Sequence, residues 1–290
     1  MKVSISAKTD IGRKRDNNED AFVLCPDLSS PNWHQQHTEG YIPLGELGAL
    51  LVVADGMGGA NAGEVASATA IDTIKETFSA AALQHIAATD ETAIQFLCQV
   101  VGKADAAINA HMFDHPDTAG MGTTIVMLWL MPQKAYVAWC GDSRCYLYST
   151  AQGLKALTKD HSYVQQLVDD GIITEQEAFQ HPENNIITRG LGDFDNQAQP
   201  DIVITPVCAG DTFLLCTDGL CGYCTNEQIG RAMDDAHADT NRTADRLLHM
   251  ALNAGGEDNI CIAVTTILAD DDPQAQSSSR IKSFFKNIFG

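Results

Sequence analysis

The spacing of apolar and polar positions changes several times along the chain, and each change marks an element. Residues 3–7 alternate as a half-buried strand does, and Thr9-Asp10-Ile11-Gly12 reads as the turn that ends it. A charged run, Arg13-Lys14-Arg15-Asp16-Asn17-Asn18-Glu19-Asp20, leads into an apolar strand at 21–24. Residues 25–48 are polar and punctuated by Pro26, Pro31, Gly40, Pro43 and Gly48, long for a hairpin loop and suggestive of an insertion near a functional edge. The apolar run 49–54 predicts a buried strand that stops on Asp55 and is followed by Gly56, Gly58 and Gly59. The period then becomes helical. Ala66, Ala70, Ile74 and Phe78 predict a helix over 63–80. Ile94, Leu97, Cys98, Val101, Ala104 and Ile108 predict a longer one over 90–112, with Asp90 and Glu91 suited to its N-terminus.

The second half repeats the alternation. An apolar strand over 125–131, a turn at Pro132-Gln133 and a return strand over 135–140 make a hairpin. Gly141-Asp142-Ser143-Arg144 then joins it to a strand over 145–148, and a tight hairpin turn would explain that tetrapeptide. From 157 to 192 the pattern is helical and polar. Asp160-His161-Ser162 opens a helix that Gly171 closes, and Thr174 and Glu177 have the spacing of a capping box. Few large apolar residues occur here, so the segment reads as a mobile lobe over the core. Short strands follow at 202–205 and 211–217, the second ending in Asp218-Gly219. Thr225 and Gln228 cap one further helix, and Ala244, Leu247, Leu248, Ala251 and Leu252 mark another that Gly255-Gly256 stops. Glu257-Asp258-Asn259 opens the last strand, 260–267. A linker from Asp270 to Ser279 leads to 280–290, where Ile281, Phe284, Phe285 and Ile288 share a helix face and Arg280, Lys282 and Lys286 are basic.

Composition narrows the reading. The 290 residues are 44% hydrophobic, enough for one large domain, and no linker interrupts them before the tail. A net charge of −20 argues against electrostatic binding of nucleic acid and favours cation binding, and it leaves attraction of an anionic substrate to local sites. Nine cysteines without a disulfide spacing suit free thiols in a reducing cytosol. The first residues lack the apolar core of a signal peptide, and no apolar run reaches membrane-spanning length, so the cytoplasm is the expected location. His34, His37, His111 and His115 have no ligand-like partner set and read as surface residues. Cys221-Gly222-Tyr223-Cys224 has redox spacing without a second pair, and ordinary packing accounts for it.

The chemistry lies in a recurrence. Asp55, Asp218 and Asp258 each stand at a strand end, and strands of one sheet system can bring such ends together. A turn with no ligand would explain any one of them. Several facing carboxylates would repel unless cations neutralise them, and an oxygen-only donor set suits magnesium or manganese better than zinc. Two such ions sharing a carboxylate can activate water and hold both oxygens of an in-line phosphoryl displacement. Arg15 could then fork onto the phosphate, although the run around it also reads as a solvated charged loop. Glu19 and Asp20 point to opposite faces of an extended segment, so one of them would reach a given site. The chain lacks the phosphate loop of nucleotide hydrolases, a zinc-binding His-Glu-x-x-His helix and a cysteine followed six positions later by arginine.

Five motifs in order, Arg15-x-x-x-Glu19-Asp20, Asp55-Gly56-Met57-Gly58-Gly59, Gly141-Asp142-Ser143-Arg144, Thr217-Asp218-Gly219 and Asp258-Asn259, make the chain resemble the metal-dependent serine/threonine phosphatases of type 2C (PPM) in their bacterial form, over residues 3–267. The resemblance implies an α+β fold, an α-β-β-α sandwich of two packed, mostly antiparallel sheets flanked by helix pairs. It implies a catalytic domain at 1–269 with a substrate-selecting flap at about 160–192, and a linker with a basic amphipathic tail at 270–290. It makes Asp55 the carboxylate bridging two manganese or magnesium ions, with Gly56 giving a backbone carbonyl, Glu19 on the second ion and Asp218 and Asp258 on the first. Asp142 with Asp218 matches a weaker third-ion site, Asp20 and Asn259 support the ligands, and Arg15 binds phosphate. A metal-bridging water is implied to attack phosphorus directly. Phosphorylated proteins are the implied substrates and a Ser/Thr kinase the opposing enzyme. Two other classes stay open, a scaffold that keeps the fold without turnover and a hydrolase of small phosphorylated metabolites. The tail is either an extra terminus or an amphipathic helix for a partner or a membrane surface.

Overall fold

Strand β4 (Ala49–Met57) shows how the molecule is layered, because its period of two sorts its side chains between two cores. Leu50, Val52 and Ala54 face one core, Ala49, Leu51 and Val53 another, and all six are fully buried. A strand covered on both faces reads as a continuous apolar run, which is the pattern seen in the sequence. Burying each valine or leucine contributes about 1.5–3 kcal/mol, so this strand anchors both layers.

The computed structural model describes residues 1–33, 36–58, 62–83, 86, 89–192, 194, 197–235 and 239–270. His34, Gly59 and the amphipathic tail 280–290 lie outside the described residues. The chain runs β1 (Lys2–Asp10), β2 (Asp20–Cys25), β3 (Ile42–Pro43), β4, α1 (Ala62–Thr77), α2 (Ala80–Leu83), α3 (Asp90–Asp114), β5 (Gly122–Thr123), β6 (Ile125–Leu130), β7 (Lys134–Cys140), β8 (Arg144–Ser149) and β9 (Gly153–Ala156). It continues with α4 (Tyr163–Asp169), α5 (Glu175–Phe179), β10 (Leu191–Gly192), β11 (Asp201–Pro206), β12 (Thr212–Cys216), α6 (Asp218–Cys221), α7 (Asn226–Asp234), α8 (Thr240–Asn253) and β13 (Ile260–Leu268).

Two antiparallel sheets result. One has the order β3-β1-β13-β12-β8-β9, the other β10-β5-β4-β6-β7-β11 with β2 paired to β4. The space between them is filled by Val3, Ile5, Leu51, Val53, Leu128, Phe213 and their neighbours. Helices α1 and α3 cover the outer face of the second sheet through Ala66, Ala70, Ile74, Leu97 and Val101, and α7 and α8 cover the first through Ile229, Met233, Ala244 and Leu247. This is the α-β-β-α sandwich that the resemblance implied. No described helix is long and apolar enough to cross a membrane.

Several expectations shift in detail. The strand β1 continues through Thr9 and Asp10, paired with Cys261 and Ile260, so the turn begins later than the sequence suggested. On α3 the buried stripe runs Ala93, Leu97, Val100, Val101, Ala104 and Ile108, while Cys98 is exposed. The 25–48 connection lies along β1, where β3 pairs with Lys2 and Val3 and the Thr38 hydroxyl accepts from the Ile5 N–H. Its pairing runs along β1 from Lys2 to Ala7, where Ser6 bridges to His37 and the Ala7 N–H donates to the Gln36 carbonyl at 2.8 Å. The Asp142 segment is not a hairpin turn: β7 belongs to one sheet and β8 to the other, so Gly141–Ser143 crosses between sheets. Cys221 and Cys224 are buried and packed, as expected, and Cys98 and Cys208 are the exposed thiols among the free cysteines.

Candidate metal centre

One edge of the sandwich gathers the acidic residues. In the β2–β4 ladder Asp20 stands opposite Asp55. Cys216 pairs with Ile262 on one side and Arg144 on the other, so Asp218, Asp258 and Asp142 all leave the first sheet at this same edge. Five separate chain segments therefore deliver the carboxylates, which is why no short stretch of sequence contains the site.

The backbone around Asp55 is fixed on both sides. Its N–H donates to the Thr124 hydroxyl at 3.2 Å, and its carbonyl accepts from the Thr124 N–H at 2.9 Å and the Thr123 hydroxyl at 2.8 Å. Thr124 in turn exchanges a hydrogen bond with Ser143 at 2.7 Å, tying β4 to the crossover that carries Asp142. Gly56 allows a close approach: a Cβ there would lie 2.1 Å from the Gly63 carbonyl oxygen and 2.6 Å from that of Glu19. The Glu19 carboxylate accepts from the Gly63 N–H at the start of α1, where the helix dipole favours an anion. Asp20 turns the other way, as alternation required, and accepts from the buried Thr217 hydroxyl at 2.8 Å.

Asn259 fastens the Arg15–Glu19 loop to the start of β13. Its amide donates to the Ile11 and Asn17 carbonyls at 3.0 and 2.8 Å, and its oxygen accepts from the Glu19 N–H at 2.8 Å. Arg15 forms an ion pair with Asp258 at 2.8 Å. The sequence had assigned those two groups to different ligands.

Burial and mutual repulsion push the carboxyls up. Burial is the larger cause at Asp20, Asp55, Asp142 and Asp218, and the neighbouring aspartates add to it. Asp218 reaches about 6, and its carboxyl shares a hydrogen bond with that of Asp55. Glu19 is also raised, mainly by burial. Among the described residues no three histidine, cysteine, aspartate or glutamate side chains surround one point closely enough to hold an ion together. Arg15 pairs with Asp258, the Gly63 N–H with Glu19 and the Thr217 hydroxyl with Asp20. The donor set still fits a hard cation. It is made of oxygens, its charges repel, and the buried Oδ1 of Asp142 has no hydrogen-bond partner among the described residues.

Sequence reasoning missed the groups that position these acids. Thr123, Thr124, Ser143 and Thr217 are buried hydroxyls at strand ends, and a pair of threonines opening an apolar strand was the one available signal. It also missed how the 160–192 lobe is held. Arg144 forks onto Asp160 at 2.8 and 2.6 Å. His161 stacks beside Trp139 and accepts from the Gly141 N–H on Nδ1 at 3.1 Å. Its Nε2 lies 3.2 Å from Asp201, which Arg189 meets at 3.0 Å while also contacting the imidazole. Burial first, and then the Arg189 charge, push the imidazole below its ordinary value, against the pull of Asp201. Gly192 pairs with Gly122, and the buried Asp105 accepts from the Gly192 and Ala198 N–H groups. The lobe itself contains α4, capped by Ser162, and α5, whose Thr174–Glu177 capping box forms as expected.

A two-sheet sandwich with crowded carboxylates and an arginine at one edge defines a class of proteins that could hold divalent cations against an anionic ligand. The chain belongs to the protein phosphatase 2C family, whose model matches residues 8–260. It is 36% identical over 230 residues to the serine/threonine protein phosphatase PstP of Mycobacterium tuberculosis, a match covering 78% of this chain and 42% of that protein. The chain thus spans about two fifths of the length of that curated relative. It is 32% identical over 255 residues to the serine/threonine phosphatase stp of Listeria monocytogenes, covering 88% of this chain and 92% of that one. A crystal structure of the catalytic domain of PstP in complex with two manganese ions superposes with a TM-score of 0.73 at 31% identity, over 93% of this chain and all of that one.

Proposed function

We propose that the protein is a cytoplasmic serine/threonine phosphatase that removes phosphate from proteins and opposes a Ser/Thr kinase. The observation that carries this reading is the convergence of Asp55, Asp142, Asp218 and Asp258 with Arg15 at one edge of a 2C-family sandwich. Asp55, Glu19, the Gly56 carbonyl, Asp218 and Asp258 would hold two divalent ions, manganese or magnesium, and Asp142 with Asp218 a weaker third. When bound, the ions supply an activated water and neutralise the phosphate charge. The chain's own residues prepare that chemistry. Thr123 and Thr124 keep Asp55 in place, and Asn259 holds the loop that carries Glu19 and Arg15. Arg15 exchanges Asp258 for the substrate phosphate, for which its planar fork is suited. The 160–192 lobe, clasped by Arg144, His161 and Arg189, borders the site and contributes to substrate choice.

The test is hydrolysis of a phosphothreonine peptide with manganese and with a chelator. Turnover that requires the metal supports the reading. Folded, metal-loaded protein without turnover would instead favour a binding role, and preference for sugar phosphates over phosphopeptides a metabolite hydrolase. For the 280–290 tail we propose contact with a partner or membrane surface, which deletion of 270–290 without change in localisation or captured partners would refute.

A further inference from the structure

Eighteen lysines and arginines stand against 38 acids in this chain, and most described cations near the sandwich are paired. The one run of adjacent cations among the described residues is Arg13-Lys14-Arg15, and it ends on the arginine that faces the carboxylates. Arg15 is paired with Asp258. Arg13 and Lys14 are exposed and have no carboxylate partner among the described residues. Asp16 and Glu257 are exposed nearby and form no ion pair with either.

The turn that presents the pair is built rigidly. Gly12 sits at φ +78°, and a Cβ there would lie 2.2 Å from the Asp258 carbonyl oxygen. The Arg13 N–H donates to the Gly256 carbonyl at 2.6 Å, and its side-chain stem lies across Gly256, where a Cβ would come within 2.9 Å of Cγ. Arg13 is thus fixed against the same segment that carries Asp258, and Lys14 follows it in the chain, next to the residue that grips phosphate. Elsewhere the net charge of −20 repels an acidic ligand.

We propose that Arg13 and Lys14 form a second anion site, which reads an acidic or phosphorylated residue within about three positions of the phosphoresidue in a substrate protein. An extended peptide advances ~3.3 Å per residue, so such a group lies ~10 Å or less from the phosphate, within reach of side chains on the Arg15 turn. The inference rests on the phosphatase reading.

The experiment compares phosphothreonine peptides flanked by aspartate, by a second phosphoserine or by alanine, against the native chain and the Arg13→Glu/Lys14→Glu variant. Native protein with manganese should favour anion-flanked peptides over the alanine peptide about fivefold at low salt, through KM, with the preference fading as salt rises. The variant should lose this preference and favour a lysine-flanked peptide. The aspartate and phosphoserine arms identify which anion is read. In chelator, the backbone amide NMR signals of Arg13 and Lys14 should shift with anion-flanked peptides and not with the alanine peptide. Equal shifts with both, or none, overturn the proposal, as does an unchanged preference in the variant. Absence of turnover on every peptide refutes the phosphatase reading, and the amide shifts then still decide the anion site.

Discussion

Replacing Asn259 by alanine should loosen the loop that carries Glu19 and Arg15 more than any other single change outside the acids themselves. The side chain makes three hydrogen bonds, to Ile11, Asn17 and Glu19, all at 3.0 Å or less, and the residue is only 6% exposed. Each such bond is worth about 0.5–1.5 kcal/mol net, so losing all three should cost about 2–4 kcal/mol. Against a domain stability of about 5–15 kcal/mol this is a large share, and at ~2–4 °C per kcal/mol it corresponds to a fall in Tm of about 4–16 °C. The Asn259→Asp variant keeps the acceptor for the Glu19 N–H, loses both donors and adds a charge beside Asp258. It should be at least as unstable, although it is nearly the same size. Urea unfolding followed by circular dichroism gives the free energies, and calorimetric titration gives manganese affinity, which should fall in both variants. An alanine variant within about 0.5 kcal/mol of the native protein, with unchanged manganese affinity, would show that the loop is held by something else.

Asp218, raised to about 6 from 3.8, keeps a proton that the unfolded chain has released, so its contribution to metal-free stability is fully present below about pH 4 and is lost as pH rises through about 6. Thermal unfolding of the metal-free protein from pH 4 to 7 should show this slope, and Asp218→Asn should flatten it. Manganese affinity should run the opposite way, rising as the protons leave. Gly219→Ala would set a Cβ 1.9 Å from the Asn259 carbonyl oxygen, so α6 must shift. A cost of about 1–3 kcal/mol and weaker manganese binding are expected, by unfolding and calorimetry. Asp105→Ala leaves the N–H groups of Gly192 and Ala198 without their acceptor. It should cost about 2–4 kcal/mol and speed proteolysis within 184–198, read by mass spectrometry. Asp55→Asn should abolish manganese-dependent turnover, whereas Arg15→Ala should chiefly raise KM; native-like kinetics in the first would remove the two-ion assignment.

What the sequence made legible followed from local physics. The uninterrupted run 49–54 signalled a strand buried on both faces, and β4 is that strand. The spacing of Thr174 with Glu177 and of Thr225 with Gln228 signalled capping boxes, and both form. Glu19 and Asp20 do part, one carboxylate going to the N-terminus of α1 and the other to Thr217, yet Asp20 stays among the acids, where its charge helps raise Asp55. What stayed hidden depends on which strands become neighbours. Gly141-Asp142-Ser143 looks like a hairpin turn because local spacing cannot distinguish a turn within a sheet from a crossing between sheets. The two-residue strand β10 pairs with β5 through Leu191 and Gly192, too short a segment to carry a period. His161, Asp201 and Arg189 carry no motif, since their meeting depends on β11 lying beside β7.

The same distinction explains how the site balances its charge. Each carboxylate that has a partner finds it far away in sequence: Arg15 for Asp258, Thr217 for Asp20, Gly63 for Glu19. Those partners are two neutral donors and one guanidinium, so they cannot neutralise the whole group. Asp55 shares a hydrogen bond only with another acid, Asp218, and Asp142 Oδ1 has none among the described residues, so burial and the neighbouring charges leave both with a raised affinity for protons. Protons and divalent cations compete for such a group, and the cations satisfy more lone pairs at once. The fold thus holds the acids together through the backbone and hydroxyl bonds around them, while their charge asks for a ligand. Substituting the hydroxyls tests this separation of roles. Thr124→Val should leave the charges untouched, remove the acceptor of the Asp55 N–H and the Ser143 partner, and weaken manganese binding without altering its dependence on pH. A variant that binds manganese as the native chain does would show that the strand ends alone fix Asp55.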